Sequence, residues 1–226
     1  MRQGRRAVLG MALLGGVGHV FGATSKPMVS GPPGARTALD AELTSVAQAV
    51  ECQLSSLSVL AIRDGKVAYE FQSGQRFIGA DGQPSKEANE RTLYRMASIS
   101  KMMTTIGLMR LVEEGKLALD ADAGSYLGYP LRNPHFPELP VTLRTLLSHT
   151  STLRDDLGYS FPAAKSLKSL LLPGGELYGN GAMWAPTAPP GKYFTYSNLN
   201  WGVIGTIMER VTGERFDRLM KRLLLA

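Results

Sequence analysis

A chain of 226 residues, 44% hydrophobic and 19% charged, has enough apolar material for one large domain or two small ones. Its formal charge is +6, but Arg2, Arg5 and Arg6 supply three of those charges, and the +3 left over is too mild to mark a nucleic-acid surface. Cys52 is the one cysteine, so an internal disulfide is excluded, and only His19, His135 and His149 are there for histidine chemistry.

Arg2, Arg5 and Arg6 precede an uncharged, glycine-rich stretch from Ala7 to Ser25 that closes on Gly22-Ala23-Thr24-Ser25. This is the layout of an export signal, residues 1–23, cleaved near Ala23; the Arg5-Arg6 pair suits twin-arginine as well as Sec export. The glycines and His19 argue against a stable transmembrane helix. The mature chain is expected in the periplasm or outside the cell, with no membrane span. Residues 24–36, rich in proline and glycine, read as a flexible linker, leaving 37–226 as the folded part.

Leu39, Leu43, Val46, Ala47 and Val50 predict an amphipathic helix over 38–54. Leu57–Ile62 and Lys66–Phe71 read as two strands joined by the Asp64-Gly65 turn, followed by a polar loop from Gly74 to Asn89. Thr92–Met96 is a strand-like approach to a long apolar helix running from Met102 to Val112, with Gly115 as its stop. After Lys116–Asp120 comes a proline-punctuated loop, then short helices at 142–148 and 163–172. A glycine-rich loop, 174–181, and the rigid turn Ala188-Pro189-Pro190-Gly191 lead to a second apolar helix that ends at Gly213. A last helix spans 216–225.

Ser98 stands at the start of the first apolar helix, with Lys101 three residues on. Positions i and i+3 share a helix face, so hydroxyl and ammonium can meet. A serine is a weak nucleophile until a base adjoins it. A lysine can act there as a neutral base in an apolar setting, or as a charge that favours ionisation of its neighbour. The backbone N–H of Ser98, in the first helical turn, is free to face a developing oxyanion. Alone, S-x-x-K is a weak signal: 17 serines and 9 lysines give about one by chance, and Ser98 has a plain alternative as a helix cap.

Two Y-x-N triplets occur. Tyr178-Gly179-Asn180 lies among flexible glycines, whereas Tyr196-Ser197-Asn198 sits between the Pro-Pro-Gly turn and a buried helix, where position is fixed. Tyr196 there can pass a proton between Ser98 and a leaving group. Asn198 can orient Lys101 and donate to a substrate carbonyl. The structural alternatives are a half-buried aromatic for Tyr196 and a helix N-cap for Asn198.

The segments Tyr94–Lys101, Leu111–Asp120, Val141–Thr150 and Pro189–Asn198 together resemble the serine β-lactamase-related hydrolases: class C β-lactamases, their esterase relatives and DD-peptidases. The resemblance runs in order from Leu57 to Leu219. It implies an α+β, β-lactamase/transpeptidase-like fold, an antiparallel sheet flanked by helices plus a mainly helical domain. It also implies Ser98 as acylated nucleophile, Lys101 as its base partner, Tyr196 as proton relay and Asn198 as a substrate and lysine contact. Substrates would be β-lactams, D-alanyl peptides or small esters, with no metal or cofactor. His149 belongs to the family's structural signature and is not implied as a base.

Two departures stand out. Ser151-Thr152-Leu153 replaces the family's usual Ser-Gly-Leu, so a turn glycine is lost. The third family motif, Lys- or His-x-Gly, occurs nowhere in the 226 residues, and the chain stops where relatives continue through later sheet strands and a final helix. The expectation is therefore a truncated member: an exported hydrolase acting through an acyl-enzyme, or alternatively an inactive remnant or binding protein. A Ser/His/Asp hydrolase using His149 fits less well, because no G-x-S-x-G elbow is present.

Overall fold

The computed structural model describes residues 34–162 and 164–225, which divide into two compact units, 34–94 and 95–225. The expected leader, and the expected linker as far as residue 33, lie outside the described residues. Among the described residues no helix is long and apolar enough to cross a membrane.

In the first unit α1 (Ala35–Gln48) begins just inside the expected linker. It ends six residues short of the expected boundary because Ala49 turns extended (ψ 122°) before a single 3-10 turn at Val50–Cys52. The hairpin of β1 (Ser56–Arg63) and β2 (Lys66–Phe77) forms as expected, turning at Asp64 and Gly65, both at positive φ. Tyr69 ties α1 to the sheet by donating to Asp40 Oδ1 at 2.6 Å; burial pushes its phenol up to about 12.

The expected loop at 74–89 needs correction. β2 continues to Phe77 and pairs with a short β3 (Lys86–Glu87), giving an antiparallel sheet in the order β1-β2-β3. Gly74 makes this possible at φ +81°, where a Cβ would lie 2.4 Å from the Ser55 carbonyl oxygen. A glycine that looks like a loop signal is instead the point where two backbones nearly touch.

The second unit is helical. Residues 92–96 follow an irregular path and not a paired strand. A 3-10 turn at Ala97–Ile99 then opens α2 (Ser100–Glu113). α3 (Ala123–Leu127) falls in the stretch expected to be loop; Asp122 caps it, its Oδ1 accepting from the Gly124 N–H at 2.9 Å. α4 (Leu143–Leu147) carries a Thr142/Thr145 capping box, and α5 (Leu167–Leu171) starts only at the Ser166 cap. α6 (Leu199–Thr212) is followed by α7 (Phe216–Met220), whose last turn relaxes into a π-type turn at Lys221–Leu225.

The core of this unit is built on α2 and α6. Leu108 and Leu111 of α2, and Val203, Ile204, Ile207 and Met208 of α6, are fully buried. Each such side chain contributes about 1.5–3 kcal/mol of burial. Gly107 lets α2 approach α7, since a Cβ there would meet the Met220 sulfur at 2.8 Å. With helices and a small antiparallel sheet, the chain is α+β, as expected.

Candidate active site

Ser98 lies in the 3-10 turn before α2, and Ala97 before it adopts φ +44°. An alanine in that left-handed region is strained. The kink is local to the serine and sets it off from the straight run of α2. Lys101 follows in the first turn of α2, half-buried, while Ser98 is exposed.

The four residues expected to form the site converge. Ser98 Oγ lies 2.7 Å from the Tyr196 hydroxyl and accepts from Lys101 Nζ at 3.2 Å. Lys101 Nζ also donates to Asn198 Oδ1 at 2.7 Å. The ammonium lies 5.0 Å from the centre of the Tyr196 ring and 5.5 Å from that of Trp201, both within cation–π range. Trp201 additionally donates Nε1–H to the Lys101 carbonyl at 3.3 Å, so α6 grips the first turn of α2. The bond to Lys101, and then that to Ser98, hold the Tyr196 phenol below its ordinary value near 10. A phenol so placed can take and return a proton nearer neutral pH.

Sequence reasoning missed Asp155. One of its oxygens accepts from Ser197 Oγ at 2.7 Å and the Leu199 N–H at 3.1 Å. The other accepts from the Asn198 N–H at 2.8 Å and from Asn198 Nδ2 at 2.9 Å. Asn198 does occupy the N-cap position of α6, but its side chain makes no cap bond. Asp155 satisfies the helix end instead and leaves the Asn198 amide for Lys101. The signal available was slight: the first turn of α6, Leu199-Asn200-Trp201, has no acid of its own.

His149 is tied into the segment that carries Tyr196 and Asn198. Its Nδ1 accepts from the Ser197 N–H at 3.0 Å and lies 3.4 Å from Asn200 Nδ2. Asn200 Oδ1 is committed to the Ser151 hydroxyl at 2.7 Å, so the amide turns its NH2 toward His149. Nδ1 is therefore unprotonated, and the neutral ring carries its proton on Nε2. That ring stacks on Tyr196, centroids 4.4 Å apart, and fixes the plane of the phenol. Burial, then the charge of Lys101, lower the His149 pKa, with Asp155 opposing.

A folded-state pKa below the unfolded value means that the unfolded chain gains its proton first as pH falls. Stability of this unit is thus full above about pH 6.5 and declines below it, toward the folded-state pKa. His149→Asn should flatten that decline. Asparagine tolerates the φ of +57° found here and offers an Oδ1 in place of Nδ1. Unfolding midpoints for both proteins between pH 8 and 5 check this; parallel curves would refute it.

The lost turn glycine has a visible consequence. Thr152 sits at φ +74°, an outlier for a β-branched residue. Asn133, fully buried, braces it: Nδ2 donates to Thr152 Oγ1 at 2.8 Å and to the Ala185 carbonyl at 2.7 Å, while Oδ1 accepts from the His135 N–H at 2.9 Å. The brace holds the loop that delivers both His149 and Asp155.

Comparison with known proteins adds a consistent picture. A family model described as Beta-lactamase matches residues 40–226. Penicillin-binding protein 4* of Bacillus subtilis is 27% identical over 165 residues, covering 73% of this chain and 34% of that protein. The octameric penicillin-binding protein homologue of Pyrococcus abyssi superposes with a TM-score of 0.67 at 26% identity, covering 84% of this chain and 42% of its own. EstCE1, described as a hydrolase with promiscuous acyltransferase activity, gives a TM-score of 0.63 at 27% identity, covering 84% and 51%. The chain spans about a third of the length of the curated relatives it matches. The fold is the β-lactamase/transpeptidase-like type that the motifs implied.

Proposed function

We propose that this chain, which belongs to the beta-lactamase family, carries the acylating centre of an exported serine hydrolase that cleaves an amide or ester through an acyl-enzyme on Ser98. One observation carries the reading: Ser98 Oγ lies within hydrogen-bond reach of both the Tyr196 hydroxyl, at 2.7 Å, and Lys101 Nζ, at 3.2 Å. Nucleophile, relay and cation meet at a single oxygen.

In this mechanism Ser98 Oγ attacks the substrate carbonyl carbon and its proton passes to the phenolate form of Tyr196, which Lys101 favours. The Ser98 N–H in the helical first turn faces the oxyanion. The C–N or C–O bond then breaks, and Tyr196 returns the proton to the departing amine or alkoxide. Water attacks the resulting ester, gives up a proton to the same relay, and the acid product leaves with Ser98 restored. Asn198 holds Lys101 and contacts the substrate carbonyl. Tyr196 and Lys101 supply the acid–base chemistry without a metal or cofactor. β-Lactams, D-alanyl peptides and small carboxylic esters are the candidate substrates, and the acyl transfer described for EstCE1 supports an acyl intermediate. Export rests on the arginines and small-residue stretch of residues 1–25.

The test is intact mass after incubation with a fluorophosphonate serine probe, beside Ser98→Ala. A single adduct on the parent chain and none on the variant is expected. No adduct on the parent, or equal labelling of both, would overturn the reading in favour of a non-catalytic binding protein or remnant.

A further inference from the structure

We propose that Asp155 is the positioning residue of this site: it holds the Asn198 amide with its carbonyl oxygen turned onto Lys101, and so fixes where the lysine stands. The proposal rests on the acylation reading for its kinetic consequence, but its structural content can be tested without it.

The argument is one of donors and acceptors. A carboxylate only accepts, and all four groups facing Asp155 are donors: the Ser197 hydroxyl, the backbone N–H groups of Asn198 and Leu199, and Asn198 Nδ2. Asn198 Nδ2 is thereby drawn to Asp155, and Oδ1 is left to face Lys101 Nζ at 2.7 Å, where only an acceptor is tolerated. Rotating the amide by half a turn would put NH2 against an ammonium and oxygen against a carboxylate, so both neighbours enforce one orientation. The same carboxylate anchors the amide to the backbone of α6, a rigid base. Lys101 in turn reaches Ser98 from the position that Asn198 gives it.

Asp155→Asn is nearly isosteric but chemically opposite in half its contacts. An asparagine there has one acceptor oxygen for two pairs of donors. Either the Ser197–Leu199 pair or the two Asn198 donors must face an NH2. The Asn198 amide then loses its enforced orientation, and Lys101 its anchor. Removing the carboxylate also removes a negative charge that holds the Tyr196 phenol up.

Ser197→Ala is the control. It deletes one hydrogen bond to Asp155 and leaves the Asn198 amide untouched. If Asp155 served only as a helix cap, both variants would lose stability and keep the parent pH profile. The positioning role predicts that Asp155→Asn labels with the fluorophosphonate about 10–100-fold more slowly. It also predicts a pH profile displaced from the parent's, because the groups facing Tyr196 become a Lys101 no longer held in place and His149, without the opposing carboxylate. Ser197→Ala should label at a rate close to that of the parent.

A second readout does not need turnover: the side-chain NH2 resonances of Asn198 in a 15N-labelled chain. In the parent they should be resolved and slow to exchange with solvent, and in Asp155→Asn shifted and fast. An Asn198 amide unchanged in Asp155→Asn, or equal effects of the two variants on rate and pH profile, would overturn the proposal. A parent chain that takes no probe but shows the protected amide would leave Asp155 in its role and remove the acylation reading instead.

Discussion

Replacing Lys101 with alanine is expected to slow labelling of Ser98 by about 10²–10⁴-fold while the chain stays folded. The side chain joins three things that no neighbour can join in its place: Ser98 Oγ, Asn198 Oδ1 and the faces of Tyr196 and Trp201. Its hydrogen bond is also the first cause of the lowered Tyr196 pKa, with its charge adding to it. Without it the phenol returns toward its ordinary value, so the deficit should be greatest near neutral pH and shrink as pH rises. Arginine is not a substitute, because a planar fork cannot occupy the point between a hydroxyl and an amide that an ammonium fills. Second-order labelling rates from pH 6 to 10 measure the effect; a variant that labels as fast as the parent would remove Lys101 from the chemistry.

Asn133→Ala should be costly although it lies away from the site, lowering stability by about 2–4 kcal/mol. Two of its three hydrogen bonds are buried and the third half-buried, and truncation leaves the Ala185 carbonyl, the His135 N–H and the Thr152 hydroxyl without that partner. Thr152 would also lose its brace while keeping φ +74°. With a urea m-value of about 1–3 kcal/mol/M, the unfolding midpoint should fall by roughly 1–2 M. Adding Thr152→Gly should recover part of the loss, since glycine removes a backbone strain of about 1–3 kcal/mol and deletes one orphaned hydroxyl. The two changes are therefore expected to be non-additive. Strict additivity would mean that Asn133 does not brace the threonine.

The elements legible in the sequence were those with strong local signals. Asp64-Gly65 between alternating apolar residues marks the β1–β2 hairpin, and the apolar periods of α2 and α6 locate both helices that carry site residues. Ser98, Lys101, Tyr196 and Asn198 were legible through the resemblance carried by four segments in order, since either motif alone is weak, and the core then brings the two motifs together. What escaped depends on contacts between distant segments. Gly74 looks like a loop residue until the Ser55 carbonyl is seen beneath it. α3 is only five residues long and leans on a cap whose aspartate is also held by Arg132. Asp155 is one of two adjacent acids in a loop, and only the fold shows that it reaches α6 while Asp156 pairs with Arg154.

Ser98 and Tyr196 are 98 residues apart, and Lys101 and Asn198 are 97 apart. Closing a loop of that length costs on the order of 4 kcal/mol in chain entropy, before any contact rewards it. On a ribosome, then, the serine emerges long before its partners exist. A nascent chain can form α2 while Ser98 and Lys101 still lack Tyr196 and Asn198, which reach them only when α6 docks. The four side chains therefore cannot meet until the chain has been made at least as far as Asn198.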